Sequence, residues 1–301
     1  MSGRQPVSLA VLAETARAKI NLSLRVLGRR PDGYHLLESL VSFAATGDRL
    51  ELRLGEPLGL SVSGPMAEHA GPPDDNLVLR AAGALKRRIP KLDLGRFELT
   101  KLLPVGAGLG GGSADAAAAL RLLAQANRLA PDDPRLYEAA RELGSDVPVC
   151  IDQTARWMGG TGHELSAPVT TPKIHVVLVN PGIPLATRDV YGELGARVVL
   201  DERALSPPSV PRGGREFLNF IAELSNDLEP AAFKLAPIVR DVLTALRDQP
   251  GCMLARMSGS GSTCFGIFAT QNAARYTART LAIRHNGWWV RDTELGMDRA
   301  D

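Results

Sequence analysis

Apolar and polar residues alternate strictly along residues 19–26. Ile20, Leu22, Leu24 and Val26 interleave with Lys19, Asn21, Ser23 and Arg25, the pattern of a strand with one face on a core and the other polar. Lys19 and Asn21 are therefore expected on one polar face. In "RPDGYH", Pro31, Asp32 and Gly33 supply turn chemistry, and "LLESLVSFA" and "DRLELRL" then predict two further strands. Asp74, Asp75 and Asn76 stand where a helix over "LVLRAAGALKRRI" needs capping acceptors. "LGRFELTKLLP" reads as a strand, and "SADAAAALRLLAQANRLA", made of strong helix formers, as a helix. Another helix over 132–143 stops at Gly144.

Beyond "WMGGTGHEL" the pattern changes to a strand, "KIHVVLVNPG", followed by helical spacing near Tyr191, Phe217 and Phe233. "LSPPSVPRGG" is the most loop-like stretch, and the C-terminal third reads strand, glycine turn, strand, helix, strand. No internal repeat or low-complexity tract occurs. The sum predicts an α+β protein of two domains, 1–168 and 169–301.

Composition narrows the function classes. The 301 residues are 45% hydrophobic and 23% charged, with a net charge of +2, which fits a soluble globular chain and argues against a dedicated nucleic-acid binder. The basic run Lys86, Arg87, Arg88 closes a predicted helix, where the macrodipole favours it, and reads as a solvated helix end. Cys150, Cys252 and Cys264 are few and set mostly among apolar neighbours, as buried thiols of a reducing compartment would be. The five histidines, His35, His69, His163, His175 and His285, include no i, i+4 pair that could share a metal on a helix face. "RQPVSLAVLAETA" has a basic residue, a short apolar run and small residues, but it continues into the strand pattern, and no apolar run is long enough to span a bilayer. A cytoplasmic protein is expected.

The chemistry concentrates in "LLPVGAGLGGGSADAAAAL", with Gly106, Gly108, Gly110, Gly111 and Gly112 directly before a helix. Glycine permits positive φ and lets a ligand reach main-chain N–H groups, and a helix start adds unpaired donors and a positive dipole end. A plain glycine-rich turn is the alternative, and the number of glycines weighs against it. The loop is not a Walker A motif, because Ser113 and Ala114 stand where Lys-Ser/Thr is required. It does match GxGxxG, but no second strand ending in an acid follows about twenty residues on, as a dinucleotide fold requires. A protein-kinase loop would sit in a hairpin before a lysine-bearing strand, and neither appears.

"PVGAGLGGGSADAA" resembles the proline-started glycine-serine loop of the galactokinase, homoserine kinase, mevalonate kinase and phosphomevalonate kinase (GHMP) superfamily. "AKINLSLRVLGRRPDGYHLLES" is more discriminating. It resembles the opening of the members that phosphorylate a cytidine diphosphate-linked methylerythritol, and "GSDVPVC" and "MSGSGSTCFG" resemble their later motifs. The likeness runs in order from about Ala18 to Phe268 and leaves roughly 195–215 uninformative. It implies a two-domain GHMP kinase fold, with an N-terminal ribosomal-protein-S5-domain-2-like domain and a C-terminal ferredoxin-like α/β sandwich, the substrate cleft between them.

The resemblance implies that Lys19 and Asp146 flank the acceptor hydroxyl. A carboxylate that takes the proton of an alcohol contributes roughly 10²–10⁴ in rate, and a lysine beside it stabilises charge moving onto phosphoryl oxygens. From the residues alone, Asp146 could equally cap a helix and Lys19 could be a solvated charge. The resemblance further implies that His35 hydrogen-bonds a cytosine stacked on Tyr34, with Tyr191 as the second aromatic wall and Asn21 and Thr187 as further substrate contacts; an isolated Tyr-His pair would otherwise read as loop packing. Gly259 and Gly261 are implied as a strip closing over the substrate diphosphate, where a plain hairpin turn is the alternative. For ATP, the implied residues are Asn76 and Lys101 near the adenine, and Pro104, Gly106, Ala107, Gly108, Leu109, Gly110, Gly111, Gly112 and Ser113 around the phosphates. Ala107 departs from the triple glycine of some relatives and must avoid positive φ.

Mg²⁺ is expected for ATP phosphoryl transfer, yet no dedicated protein cage is visible, so phosphates, water and the Ser113 hydroxyl would hold it. The implied partner is a small molecule, with no nucleic acid or membrane, and the chain acts as a monomer or homodimer. The implied reaction is transfer of phosphate from ATP to the 2-hydroxyl of 4-(cytidine 5'-diphospho)-2-C-methyl-D-erythritol in the non-mevalonate isoprenoid route. A kinase of a smaller alcohol such as homoserine or mevalonate is the alternative, against which Tyr34, His35 and Tyr191 argue. A silent metabolite sensor on the same scaffold conflicts with retention of Lys19 and Asp146, and an RNA-binding module conflicts with the near-neutral charge.

Overall fold

The computed structural model describes residues 11–200 and 206–296. Its strands are β1 (Val11–Asn21), β2 (Arg25–Arg29), β3 (His35–Leu54), β4 (Gly59–Ser63), β5 (Gly95–Thr100), β6 (Arg156–Gly159), β7 (Glu164–Leu165), β8 (Ile174–Asn180), β9 (Cys252–Met257), β10 (Cys264–Phe268) and β11 (Trp289–Leu295). Its helices are α1 (Leu77–Arg88), α2 (Gly111–Ala126), α3 (Pro134–Leu143), α4 (Thr187–Leu194), α5 (Gly214–Glu223), α6 (Glu229–Leu235), α7 (Ile238–Arg247) and α8 (Gln271–Arg284). None of them is long and apolar enough to cross a membrane.

Contacts divide the chain into two compact units. The first holds the segment ending at Ala16 together with Asp48–Leu102 and Gly112–Ile151; the second holds Arg17–Gly47, Leu103–Gly111 and the chain from Asp152 onward. Because β1 and β3 each run through both, neither unit is a continuous block such as 1–168 or 169–301.

In the first unit β5 pairs antiparallel with the end of β3 and parallel with β4, and a parallel pair needs a crossover, which α1 supplies. Asn76 caps α1 by accepting the Val78 N–H at 3.0 Å. At its other end Arg88 bonds Glu142 of α3 at 2.9 Å and Arg87 bonds the same carboxylate, so the basic run is partly tied down, not simply solvated. α3 begins at Pro134 behind an Asp133 cap, two residues later than the apolar pattern suggests. α2 is buried on nearly every side from Ala114 to Ala124, which explains its alanines: a helix enclosed all round needs small side chains.

In the second unit β8 is flanked by β11 and β10, with β9 beyond β10, all antiparallel. Ile174, Val176 and Leu178 of β8 point into one apolar cluster while Val177 and Val179 point into another. Cores on both faces account for its continuous apolar run over 176–179. The segment 19–26 behaves differently from its alternation. β1 ends at Asn21, the chain bends, and β2 begins at Arg25, while Lys19, Asn21 and Ser23 are each only 4% exposed. The expected polar face is buried, because β1 is covered on both sides. The two strands expected over 36–54 are one strand, held extended through Ala44 and Thr46 by Leu295 and the Thr293 hydroxyl. α7, with Val239, Val242, Leu243 and Leu246 buried at helical spacing, was not singled out in the sequence pattern. Residues 201–205 and residues 4–10 of "RQPVSLAVLAETA" lie outside the described chain.

Candidate active site

The glycines of the 103–110 loop do different jobs. Gly106, Gly108 and Gly110 have φ of 63°, 76° and 60°, a region that a β-carbon disfavours. Ala107 is not among the positive-φ residues, as its side chain requires. A β-carbon on Gly106 would meet nothing within 4 Å, leaving that backbone open to a ligand. One on Gly108 would lie 2.3 Å from the Ser258 carbonyl oxygen and 3.0 Å from the Gly261 nitrogen, so glycine at 108 serves the packing of two backbones. One on Gly110 would press on the Lys19 side chain at 3.3 Å. Gly111 and Gly112 already belong to α2. Together with Ser113 they form its first turn, where free N–H groups and the dipole favour an anion.

Lys19 is thus built into the loop. Its main-chain N–H donates to Leu109 O at 2.9 Å, and its methylenes run along Gly110. Two residues on, Asn21 donates through Nδ2 to the Ser39 hydroxyl at 2.7 Å and through its main-chain N–H to Ser258 Oγ at 3.1 Å. Gly259 and Gly261 have φ of 57° and 84°, and a β-carbon on Gly259 would sit 3.2 Å from Asn21 Oδ1. Lys19, Asn21, Gly106, Gly108, Gly110, Gly259 and Gly261 therefore form one connected set in the second unit.

The aromatic residues are arranged otherwise than as an open slot. The His35 and Tyr191 rings meet at a tilt, with centroids 4.7 Å apart and planes at 38°, while Tyr34 is 65% exposed on the turn that Asp32 Oδ1 closes by accepting its N–H. His35 Nε2 is buried with no hydrogen-bond partner among the described residues. Burial, aided by the Arg29 charge, lowers the His35 pKa and so favours the neutral ring, with an unspent polar edge. Thr187 opens α4 one turn before Tyr191, and its hydroxyl meets Ser260 Oγ at 2.9 Å.

The first unit holds the remaining expected residues. Asp146 lies half-buried in the turn after α3, whose cap position is Gly144. Asn76 spends its Oδ1 on the α1 cap. Lys101 is 4% exposed, and its ammonium donates to Asp115 Oδ2 at 2.7 Å and to Asp48. Asp48 also accepts the Leu102 N–H at 2.5 Å, at the entry to the loop. Burial alone would pull the Lys101 pKa down, but the charges and hydrogen bonds of Asp115 and Asp48 more than offset it and the value is raised. Asp115 is pushed up to about 7 by burial and by the neighbouring Asp48, against the pull of Lys101. Sequence reasoning did not find Asp48, Asp115 or Ser258. The signal for Asp115 was present, as a single acid inside an alanine run that is otherwise apolar.

Residues 76–160 match the family described as GHMP kinases N terminal domain, and 214–284 the GHMP kinases C terminal. Over 290 residues the chain is 52% identical to the 4-diphosphocytidyl-2-C-methyl-D-erythritol kinase of Rhodopseudomonas palustris, an alignment covering 94% of this chain and 97% of that one. The chain belongs to the 4-diphosphocytidyl-2-C-methyl-D-erythritol kinase family. The kinase of that name from Methylobacterium radiotolerans is likewise 52% identical over 290 residues, with coverage of 95% and 100%. A crystal structure of 4-(cytidine 5'-diphospho)-2C-methyl-D-erythritol kinase matches with a TM-score of 0.75 at 33% identity, covering 95% of this chain and all of the other. The α+β GHMP kinase fold implied by the loop and the N-terminal motif is the fold of this kinase. As a GHMP kinase it is ATP-dependent.

Proposed function

We propose that this kinase transfers the γ-phosphoryl group of ATP to the 2-hydroxyl of 4-(cytidine 5'-diphospho)-2-C-methyl-D-erythritol, as a step of the non-mevalonate isoprenoid route. The observation that carries the site assignment is Lys19, buried at 4% exposure and laid along Gly110 of the anion-binding loop. The identity to relatives bearing that activity in their names carries the substrate. Homoserine and mevalonate types are not favoured, because relatives of about half identity carry the cytidylyl name.

Asp146 takes the proton of the acceptor hydroxyl, and Lys19 neutralises charge on the phosphoryl oxygens in flight. The open backbone at Gly106 and the first turn of α2 bind the ATP phosphates. No group of three or more His, Cys, Asp or Glu able to hold a metal occurs among the described residues. Phosphate oxygens and water, with the Ser113 hydroxyl, would carry Mg²⁺, which would neutralise the β and γ oxygens. We place the reaction in the cytoplasm, a reading supported by three free cysteines.

His35 and Tyr191 read the cytosine: the imidazole edge hydrogen-bonds it, and the Tyr191 ring packs on it. Incubation with ATP, Mg²⁺ and the cytidylyl substrate beside homoserine and mevalonate tests the reading, which requires product from the first alone. Base-aromatic stacking contributes about 1–3 kcal/mol, so Tyr191→Ala is expected to raise KM for the cytidylyl substrate about fivefold or more, with a smaller fall in kcat. The uridine analogue should be rejected more strongly by the wild type than by His35→Ala. Equal use of both analogues by the wild type would remove the cytosine assignment.

A further inference from the structure

We infer that Ser258 is a positioning residue of this kinase: its hydroxyl fixes the Gly108–Leu109 peptide of the phosphate loop against the strand that carries Lys19. The inference rests on the phosphotransfer reading above. Ser258 is fully buried, and its Oγ accepts the Asn21 N–H at 3.1 Å while donating to Gly108 O at 2.9 Å. One hydroxyl thus joins three segments that lie 150 and 237 residues apart in sequence, using its donor and one of its two acceptor positions.

The peptide plane explains why that contact matters for an anion. Gly108 O and the Leu109 N–H belong to the same rigid trans unit and point to opposite sides of it. Holding the oxygen therefore aims the N–H. Leu109 also receives, through its own carbonyl, the N–H of Lys19 at 2.9 Å. β1 and the loop are consequently joined twice, at Lys19 directly and at Asn21 through Ser258, and two links two residues apart fix rotation as well as distance.

The support beneath Ser258 is itself rigid. Ser258 N–H donates to Thr263 O at 2.9 Å, Ser258 O accepts the Gly261 N–H at 3.0 Å, and Asn226 Nδ2 donates to both Met257 O and Gly259 O at 2.8 Å. Gly108 is held so close to this strip that a β-carbon there would collide with the Ser258 carbonyl. The hydroxyl is therefore presented by a fixed turn.

Ser258→Ala leaves a buried N–H and a buried carbonyl without their partner and frees the Gly108–Leu109 peptide to rotate. The expected result is that affinity for a fluorescent ATP analogue, measured with no acceptor present, falls about fivefold or more. In turnover, ADP formed per phosphorylated acceptor rises above one as water competes with a misaligned hydroxyl, while KM for the cytidylyl substrate changes by less than about threefold. Ser258→Cys, nearly the same size with a weaker donor and acceptor, should fall between the two and serves if the alanine variant does not fold. A hydroxyl that only stabilises the fold would lower the melting temperature and the active fraction while leaving both the ADP-to-product ratio and the analogue affinity of the folded protein unchanged, and that result overturns the inference. Wild-type protein inactive on the cytidylyl substrate would instead remove the substrate reading, and the acceptor-free binding measurement would still decide the role of Ser258.

Discussion

Lys19 and Lys101 are equally buried, each 4% exposed, and their surroundings differ in kind. Lys101 donates its ammonium to two carboxylates, Asp48 and Asp115, inside the first unit. Lys19 lies in the second unit with its methylenes on Gly110 and its N–H on Leu109, against the backbone of a loop shaped for an anion. Burial of a lysine therefore does not mark a catalytic group. A lysine enclosed by carboxylates is matched within the protein, and removing it strands a buried carboxylate. In the function proposed above Lys19 acts on the phosphoryl group in transfer, and removing it should weaken chemistry more than folding.

The largest expected effects test that contrast directly. Lys19→Met and Asp146→Asn should each lower kcat by roughly two or more orders of magnitude, with melting temperatures near the wild type. Lys101→Met should leave the buried Asp48 carboxylate without its cation, at a cost of about 3–5 kcal/mol in stability. Steady-state kinetics beside urea unfolding separates the two. Should Lys19→Met unfold as readily as Lys101→Met, the proposed catalytic role of Lys19 would lose its support against a structural one.

The glycines sharpen the Lys19 side with a smaller effect. Gly106→Ala and Gly110→Ala carry a similar backbone cost, about 1–2 kcal/mol for a β-carbon at positive φ, since the two φ angles differ by only a few degrees. Their surroundings do not match. The new methyl at 106 enters space open to the ligand, whereas at 110 it presses on Lys19 Cβ and Cε at 3.3 Å. Gly106→Ala should therefore raise KM for ATP more than it lowers kcat, and Gly110→Ala should do the reverse, about tenfold in kcat. Identical kinetic signatures would show that Lys19 does not depend on its seat.

Much of this was legible before any coordinates. The glycine loop, the alanine helix behind it, the Asn76 cap and the strand-turn-strand-helix-strand order of the C-terminal third all follow from local pattern, because propensity, capping and turn chemistry act over a few residues. The burial of Lys19, Asn21 and Ser23 was not legible. Alternation reports two faces, and it cannot say that a polar face is covered by the loop at Leu109 and by Ser258, residues far away in sequence. The same limit hid the Asp48–Lys101–Asp115 cluster, whose members lie 53 and 14 residues apart. It also hid the contact of the His35 and Tyr191 rings. Long-range partners of polar side chains are what the sequence left open.

A change spread gradually over pH sharpens the Lys101 side. Asp115 titrates at about 7 in the folded protein, raised by burial and by Asp48, whereas a carboxyl of an unfolded chain titrates near about 3.9. Between those values the folded state binds more protons than the unfolded state. Stability must then fall as pH rises through that window and level off above it, the opposite of the usual salt-bridged carboxylate. One proton sets a ceiling of about 1.4 kcal/mol per pH unit on the slope. Asp115→Asn removes this titration and leaves Lys101 facing Asp48 alone, so the variant's stability relative to wild type should improve steadily from pH 5 to about pH 7 and then hold constant. Taking the difference between the two proteins cancels every other titrating group that they share. Urea unfolding at each pH gives that difference. A flat difference across the window would mean that Asp115 is ionised throughout, held so by Lys101, and that the cluster is a matched pair with a spectator acid instead of two carboxylates competing for one ammonium.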